Sequence, residues 1–323
     1  MKTTFNPPPK VDYRALYPWA SEDLLAETSS LTSSKDVMKH REDEAAHLLR
    51  VFGRECDAYV SVQPCAEGEP VCADERANDG EPFFFLYATI FKRVKLRLSL
   101  TRFERALLTK INVAPAQLHS NNWAFVKAFA ILCNHFGHTP FVDVFLHFFE
   151  AKSPGKKLWV SFNEVAGRVL LTLFQQSYKG FKGKFFKVCC IDYDYTLLDG
   201  FQLYWVKKLQ FKKPRTLEEL TPHDRELCQV FASLGAVFNT AQLIKYEFSP
   251  SDLKGYIGTR SSLSHFVVYT SYQLFMFEYS VSSYLYVYSC ILYCFAYPLH
   301  SDLGTGMVLN EEKWARLADT RDL

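Results

Sequence analysis

The fold is decided by the stretch Leu100–Lys152, which reads LTRFERALLTKINVAPAQLHSNNWAFVKAFAILCNHFGHTPFVDVFLHFFEAK. Apolar residues recur in it every three or four positions, which is the period of an α-helix with one buried face. The stretch therefore predicts three successive helices. Their predicted boundaries are Thr101 as the first N-cap, Asn121 or Asn122 as the second N-cap, Gly137 as the second C-terminus, and Thr139 to about Glu150 for the third helix.

Outward from these helices the pattern changes to short strands and then returns to helices. LWVSF (158–162), FFKVCCIDY (185–193) and FQLYWV (201–206) are aromatic or β-branched and are bounded by Gly or Lys clusters, which is typical of strands. Thr221 and Pro222 mark the start of one further helix, and 240–248 forms another. The sequence thus predicts a helix-dominated α+β fold, a single globular domain with short strands over residues 98–258.

The segments before this domain differ from it in composition. Residues 1–81 contain Pro7–Pro9, a Ser/Thr cluster and an acidic Gly/Pro-rich end, which predicts a flexible, disordered acidic arm. Residues 82–97 form a connector that begins with PFFFLYATIF (82–91), a buried strand or a docking segment, and ends in the cations Lys92, Arg93, Lys95 and Arg97.

The net charge of +2 hides two halves of opposite sign. Between Ser21 and Glu81 fifteen acids face six bases, a net charge of −9, whereas from Lys152 to Arg215 thirteen bases face four acids, a net charge of +9. Such asymmetry indicates either intramolecular masking or a polyanionic partner for the basic half. The odd number of cysteines, nine, and the polar start MKTTFNPPPK predict an intracellular protein, nuclear or cytoplasmic.

Three motifs carry a resemblance to a known family. They are NVAPAQLHSNNWAFV (112–126), the turn that ends in Cys133–Gly137, and DGFQLYWV (199–206). With the helical stretch around them they resemble the plant domain known as the gypsy-type transposase or plant transposon protein, and the resemblance extends to about Gly258. It implies a gag-like part of a retrotransposon, for which there are no catalytic residues to transfer.

The residues themselves agree with that implication. An integrase or transposase of the retroviral type needs three carboxylates that gather two metal ions, and no such set can be assembled from this sequence. The compact Cys/His cluster of a zinc knuckle is also absent from it. The expected function is therefore non-catalytic, without cofactor or metal, and consists of self-association, RNA or DNA binding, or both.

One enzymatic alternative is centred on VCCIDYDYTLLDG (188–200). An apolar strand followed by Asp192 and Asp194 resembles the first motif of haloacid dehalogenase-type phosphatases, in which the first Asp attacks phosphorus and the second acts as acid and base. That fold also requires a later acidic pair that binds magnesium, on a doubly wound sheet. No such acidic loop follows Gly200, so the alternative is the weaker hypothesis.

Cys133, His135 and His138, with His147 further along, are candidate metal ligands. Structural zinc sites normally use tighter pairs such as C-x-x-C. Cys133 lies on the apolar face of its predicted helix, which favours a buried thiol. No metal site is therefore predicted.

The basic half predicts a nucleic-acid-binding surface. Its cations alternate with rings such as Trp159 and Tyr204, and single-stranded nucleic acid is bound by cations on phosphates and by rings stacked on bases. Alternatively, the rings are core and the lysines form an ordinary solvated face. The candidate residues are Lys179, Lys182, Lys184, Lys187, Lys207, Lys208, Lys212 and Lys213.

Residues 259–323 form an apolar, aromatic tail outside the resemblance. Glu278 is the only Asp, Glu, Lys or Arg between Ser261 and Ser301, and 279–299 is long enough to cross a membrane. Its many Tyr and Ser residues make it a poor transmembrane segment. Its composition matches translated uridine-rich noncoding RNA, which favours a retained intron, and the alternatives are a membrane tether or a buried pair of strands.

Overall fold

The computed structural model describes residues 11–37, 60–78, 80–97, 100–153, 158–174, 181–190, 200–211 and 213–260. The helices are α1 (Tyr13–Leu16), α2 (Glu22–Leu25), α3 (Arg102–Ile111), α4 (Ser120–His135), α5 (Val142–Phe148), α6 (Pro222–Ser233), α7 (Thr240–Tyr246) and α8 (Pro250–Arg260). The strands are β1 (Val60–Gln63), β2 (Phe83–Tyr87), β3 (Phe149–Lys152), β4 (Ser161–Glu164), β5 (Leu171–Thr172), β6 (Phe185–Cys190) and β7 (Phe238–Asn239). The predicted α+β class is confirmed.

The three predicted central helices are present as α3, α4 and α5. Thr101 caps α3 in a capping box with Glu104, as its position predicted. The predicted cap of α4 was wrong, because His119 is the N-cap and its Nδ1 accepts from the Asn121 amide. Helix α5 is shorter than predicted, since residues 149 and 150 leave it to pair with β4.

The core between these helices is built from phenylalanine rings. The Phe145 ring lies 4.6 Å from that of Phe149, 5.3 Å from that of Phe129 and 5.0 Å from that of Phe162, measured between centroids. These side chains come from α4, α5, β3 and β4, and all four are buried. Their burial therefore joins the helices to the β3–β4 hairpin.

Strand β6 is the centre of the three-stranded sheet. It pairs antiparallel with β1 on one side, where Val62 lies opposite Val188, and with β2 on the other, where Phe84 lies opposite the same residue. Every residue of β2 is buried, which confirms the predicted buried strand. The sheet thus joins three segments that are far apart in sequence.

The predicted flexible arm is folded wherever the structure describes it. In residues 11–37 and 60–78 the side chains of Tyr17, Leu24 and Val71 are buried in the core. The Ser30 amide donates to the Gly183 carbonyl at 2.8 Å. Acidic, Gly/Pro-rich composition predicted disorder wrongly here, because the segment also bonds to residues far away in sequence: β1 pairs with β6, and the Ser29 hydroxyl bonds to the Phe185 carbonyl.

Two further predictions concern the segment 201–206 and the C-terminal tail. FQLYWV (201–206) was predicted as a strand and is irregular, because its backbone is bonded by side chains rather than by a neighbouring strand. The tail 261–323, with the membrane candidate 279–299, lies outside the described residues. Among the residues that the structure does describe, no helix is long and apolar enough to cross a membrane.

A fragment of residues 98–258 is expected to fail to fold cooperatively. It lacks β1 and β2, and it removes Glu69 and Asn78, the polar partners of Lys187 on β6. Leaving a buried charge unpaired costs about 3–5 kcal/mol. Thermal unfolding followed by circular dichroism should show a broad, non-cooperative transition, whereas residues 11–260 should unfold sharply. A sharp transition at the same temperature for both fragments would contradict the contribution of the N-terminal segment.

Candidate nucleic-acid interface

Lys187, one of the predicted phosphate-binding residues, is buried. Its side chain is paired with Glu69 at 2.9 Å and donates to Asn78 Oδ1 at 3.0 Å. The ammonium also lies 4.9 Å from the centre of the Phe83 ring. Burial raises the pKa of Glu69, and the Lys187 ammonium opposes that rise. Lys187 therefore binds the N-terminal segment to β6. The prediction that Lys187 contacts a phosphate was wrong, because its ammonium is buried and already paired.

The remaining lysines of the run 179–187 are not equivalent. The Lys182 ammonium lies 3.5 Å from a Glu27 carboxylate oxygen and 4.5 Å from the centre of the Trp159 ring, so it is already engaged. Lys184 is exposed. Lys179 lies outside the described residues. The run therefore does not form the continuous cationic patch that its sequence predicted.

Lys207, Lys208 and Lys213 are exposed, and the described residues around them, 206–211 and 213–215, are irregular. We call the segment 206–215 the basic strap. Within the part of the chain that the structure describes, no carboxylate lies within ion-pair distance of these three side chains. Lys212 belongs to the strap but falls outside the described residues. Of the eight predicted phosphate-binding lysines, three are therefore exposed on this one segment.

The start of the basic strap is fixed by Gln117, a fully buried residue of the motif 112–126. Its Oε1 accepts from the amide of Val206 at 2.9 Å, and its Nε2 donates to the carbonyl of the same residue at 3.2 Å. The same side chain also accepts from the Ala114 amide at 3.1 Å and donates to the Leu158 carbonyl at 3.3 Å. One amide group therefore ties the strap to two other segments.

The end of the strap is fixed by hydrogen bonds of Arg215. Its amide donates to the Leu146 carbonyl at 3.0 Å, and its carbonyl accepts from Arg168 at 2.9 Å and from His147 Nδ1 at 2.9 Å. Because a carbonyl can only accept, the contact between His147 Nδ1 and this carbonyl requires a proton on Nδ1. Burial, with a smaller contribution from Arg168, lowers the pKa of His147.

Apolar side chains hold the middle of the strap against the core. Leu209 and Phe211 are partly buried and pack on it, while the lysines on either side face solvent. Close to Lys213, the side chains of Lys110 and Arg215 line a cavity of about 20 Å³, enough for about one water molecule. Both of these cations are bonded to Asp143, at 3.3 and 3.1 Å, so they position the strap rather than offer free charge.

The phosphatase motif lacks the context that it requires. Asp192 and Asp194 lie outside the described residues, but the strand before them, β6, sits between two antiparallel neighbours. A haloacid dehalogenase-type site follows a strand of a doubly wound, mainly parallel sheet. The position of β6 is therefore unlike that of the strand which carries this motif.

The candidate metal ligands Cys133, His135, His138 and His147 do not form a metal-binding cluster. Cys133 is buried in α4, and His147 is bonded to the strap. Within the ranges that the structure describes, no three His, Cys, Asp or Glu side chains gather closely enough to hold a metal ion.

Sequence reasoning missed the roles of Gln117 and Asn122. Asn122 was considered as a helix cap, yet its Nδ2 donates to the Val160 carbonyl at 2.5 Å and its Oδ1 accepts from the Phe162 amide at 2.9 Å. Gln117 stands between the apolar residues Ala116 and Leu118, and a lone polar residue among apolar ones is the signal that could have revealed it. Asn122 follows His119, Ser120 and Asn121, so the sequence carries no such signal for it.

Comparison with protein families gives one match. Residues 86–153 match the family described as "Putative gypsy type transposon". The matched span runs from β2 to β3 and includes the motif 112–126. Comparisons with curated proteins and with solved structures gave no match. Residues 86–153 therefore carry a gypsy-type transposon domain, which supports an origin of the chain from a retrotransposon.

Replacing Gln117 by Leu is expected to destabilise the protein by about 2–6 kcal/mol. Leu fills a similar volume but leaves the Ala114 and Val206 amides without acceptors, and each buried unsatisfied group costs about 1–3 kcal/mol. Denaturant unfolding measures the change. The exposed Gln229 supplies the control, Gln229→Leu, for which a change below about 0.5 kcal/mol is expected. Equal effects of the two substitutions would contradict the role of Gln117.

His147 is expected to make the protein less stable in mild acid. Because its folded pKa is lowered, the native state binds fewer protons than the unfolded chain below about pH 6.5, so stability falls as the pH falls. His147→Asn keeps a donor to Arg215 and removes the titration, and should reduce the loss of unfolding free energy between pH 7 and 5. His223→Asn, at an exposed position of α6, is the control. A wild-type pH profile in the His147 variant would refute this assignment.

Proposed function

We propose that this retrotransposon-derived protein is a non-catalytic, gag-like protein that binds RNA or DNA through the basic strap. The observation that carries the proposal is the exposure of Lys207, Lys208 and Lys213 on a segment whose two ends are held by backbone hydrogen bonds. The site of action is an intracellular compartment, the nucleus or the cytoplasm.

The chemistry of the strap suits a phosphate backbone. Residues 206–215 span at most about 30 Å, and their lysines place positive charge at intervals along that length. Lysine contacts with phosphates release condensed counterions and carry no base specificity, so they suit binding to many sequences. A strap that is already fixed loses less conformational entropy on binding than a flexible arm does.

The non-catalytic part of the proposal has its own support. Two buried polar side chains of the motif 112–126, those of Gln117 and Asn122, bond to backbone groups and are not free to contact a substrate. Self-association, the other expected activity of a gag-like protein, belongs to the same proposal and is measured by sedimentation velocity.

Replacing Lys207, Lys208 and Lys213 together by Gln is expected to weaken binding and its salt dependence. On single strands each lost phosphate contact lowers the slope of log K against log salt by about 0.7, so the slope should fall by up to about 2. Fluorescence anisotropy of the full chain with a labelled 20-nucleotide RNA, titrated between 50 and 300 mM salt, measures this change.

The control removes the same charge from other elements. Lys35, Arg225 and Arg260 are exposed, and their joint replacement by Gln should change the slope by clearly less. An equal change in both variants would show that binding is diffuse rather than centred on the strap. Magnesium-dependent hydrolysis of a phosphate ester that disappears in Asp192→Asn would contradict the non-catalytic part.

A further inference from the structure

A second basic surface lies on the connector that follows β2. Between Pro82 and Phe103 the chain contains five bases and no acid. Val94 and Leu96 are fully buried, and the intervening Lys95 and the following Arg97 are more exposed. The alternation therefore anchors the backbone and places both cations on its outer side.

The backbone of this surface is held in an unusual conformation. Residues 90–94 form one π-helical turn, and Lys95 closes it with a left-handed φ of 56°. The Lys95 amide donates to the Phe91 carbonyl at 3.2 Å. Non-glycine residues adopt this region rarely, and π-helical turns are frequent at functional sites.

An exposed aromatic ring lies beside these two cations. Phe248, in the turn between α7 and α8, is 54% exposed, the second-highest value among the exposed large hydrophobic side chains of the described residues. The Lys95 ammonium and the Arg97 guanidinium each lie 5.8 Å from the centre of its ring. A single exposed phenylalanine is ordinary, but one that is flanked by two cations is not explained by packing.

The ring is fixed in place by the residues on either side. Glu247 is paired with Lys127 of α4 at 2.5 Å, and both side chains of this pair are largely buried. The Ser249 hydroxyl bonds to Asp252 at the start of α8, at 2.7 Å. The charge of Glu247, the residue next to Phe248, is thus balanced by Lys127.

We propose that Phe248, Lys95 and Arg97 form a stacking site for one base of a single-stranded nucleic acid. The base stacks on the exposed face of Phe248, and the adjoining phosphates contact Lys95 and Arg97. At 5.8 Å both cations are close to the outer limit of a cation–π contact, so a phosphate can compete for them. Paired bases are not accessible for such stacking, and the site therefore selects single strands over duplexes.

This inference rests on the proposed nucleic-acid function for the class of ligand, but it concerns residues outside the basic strap. The strap supplies affinity through phosphates, which duplexes and single strands share. The Phe248 site adds a contact that only an unpaired base can make. The two contributions can therefore be separated by choosing the probe.

The test uses the full chain and the variant Phe248→Leu, which keeps an apolar side chain and removes the aromatic face. Probes are labelled ten-nucleotide oligothymidylate, oligouridylate and an abasic oligonucleotide of equal length. Loss of one aromatic stacking platform should weaken binding of the first two roughly 5- to 100-fold and leave the abasic probe unchanged. A preference of wild type for oligouridylate would indicate RNA, and equal affinities would indicate either polymer.

Two further variants separate stacking from charge. Phe141→Leu, at a 38% exposed ring beside His223, is the matched control and should bind as wild type does. Replacing Lys95 and Arg97 by Gln should lower the salt slope on single strands by about 1.4, whereas Phe248→Leu should leave the slope unchanged. Thermal unfolding should be the same for Phe248→Leu and wild type, because the side chain is exposed.

The outcomes distinguish this site from the proposed function. If Phe248→Leu binds oligothymidylate as wild type does while the strap variant is impaired, the stacking site is refuted and the function stands. If wild type binds none of the probes, both are refuted. Ultraviolet cross-linking of thymidine to the peptide that contains Phe248 would support the site, and cross-links confined to other peptides would overturn it.

Discussion

The buried side-chain amide of Gln117 is the interaction on which the arrangement of the described domain depends. It makes four hydrogen bonds, which is the full capacity of a carboxamide, and each partner is a backbone group. The partners belong to the segments around Ala114, Leu158 and Val206, none of which is paired in a named strand. The Gln117 side chain thus bonds to backbone groups of the kind that pair between strands in a β-sheet. The Asn122 side chain likewise bonds to the Val160 carbonyl and the Phe162 amide.

This use of polar side chains explains why the family motifs carry no evident chemistry. The motif 112–126 supplies the donors and acceptors, and Val206, the last residue of the motif 199–206, receives two of them. The two motifs are therefore halves of one structural contact. What remains for function is the charge that the fold places outside this contact, on the strap and on the connector after β2.

The opposite charges of the two halves of the chain are partly used against each other. Glu69 pairs with Lys187 and Glu27 pairs with Lys182, so two of the predicted phosphate-binding lysines are engaged by the N-terminal segment. Ion pairs between the acidic and the basic half of the chain thus account for part of the charge asymmetry. Among the cations that are left exposed, the Lys207 ammonium lies 5.6 Å from the centre of the Trp19 ring of the N-terminal segment, but within the described residues neither it nor Lys213 is paired with a carboxylate.

The sequence by itself determined part of the local structure. The caps Thr101 and Thr221, the helical period of 100–152 and the buried strand at 83–87 were all predictable, because each depends on residues within a few positions of one another. Only the tertiary structure decided that residues 60–63 pair with 187–190, that Lys187 is buried, and that 201–206 is not a strand. Strand pairing and burial of a charge depend on partners more than a hundred residues away, and neither composition nor period contains that information.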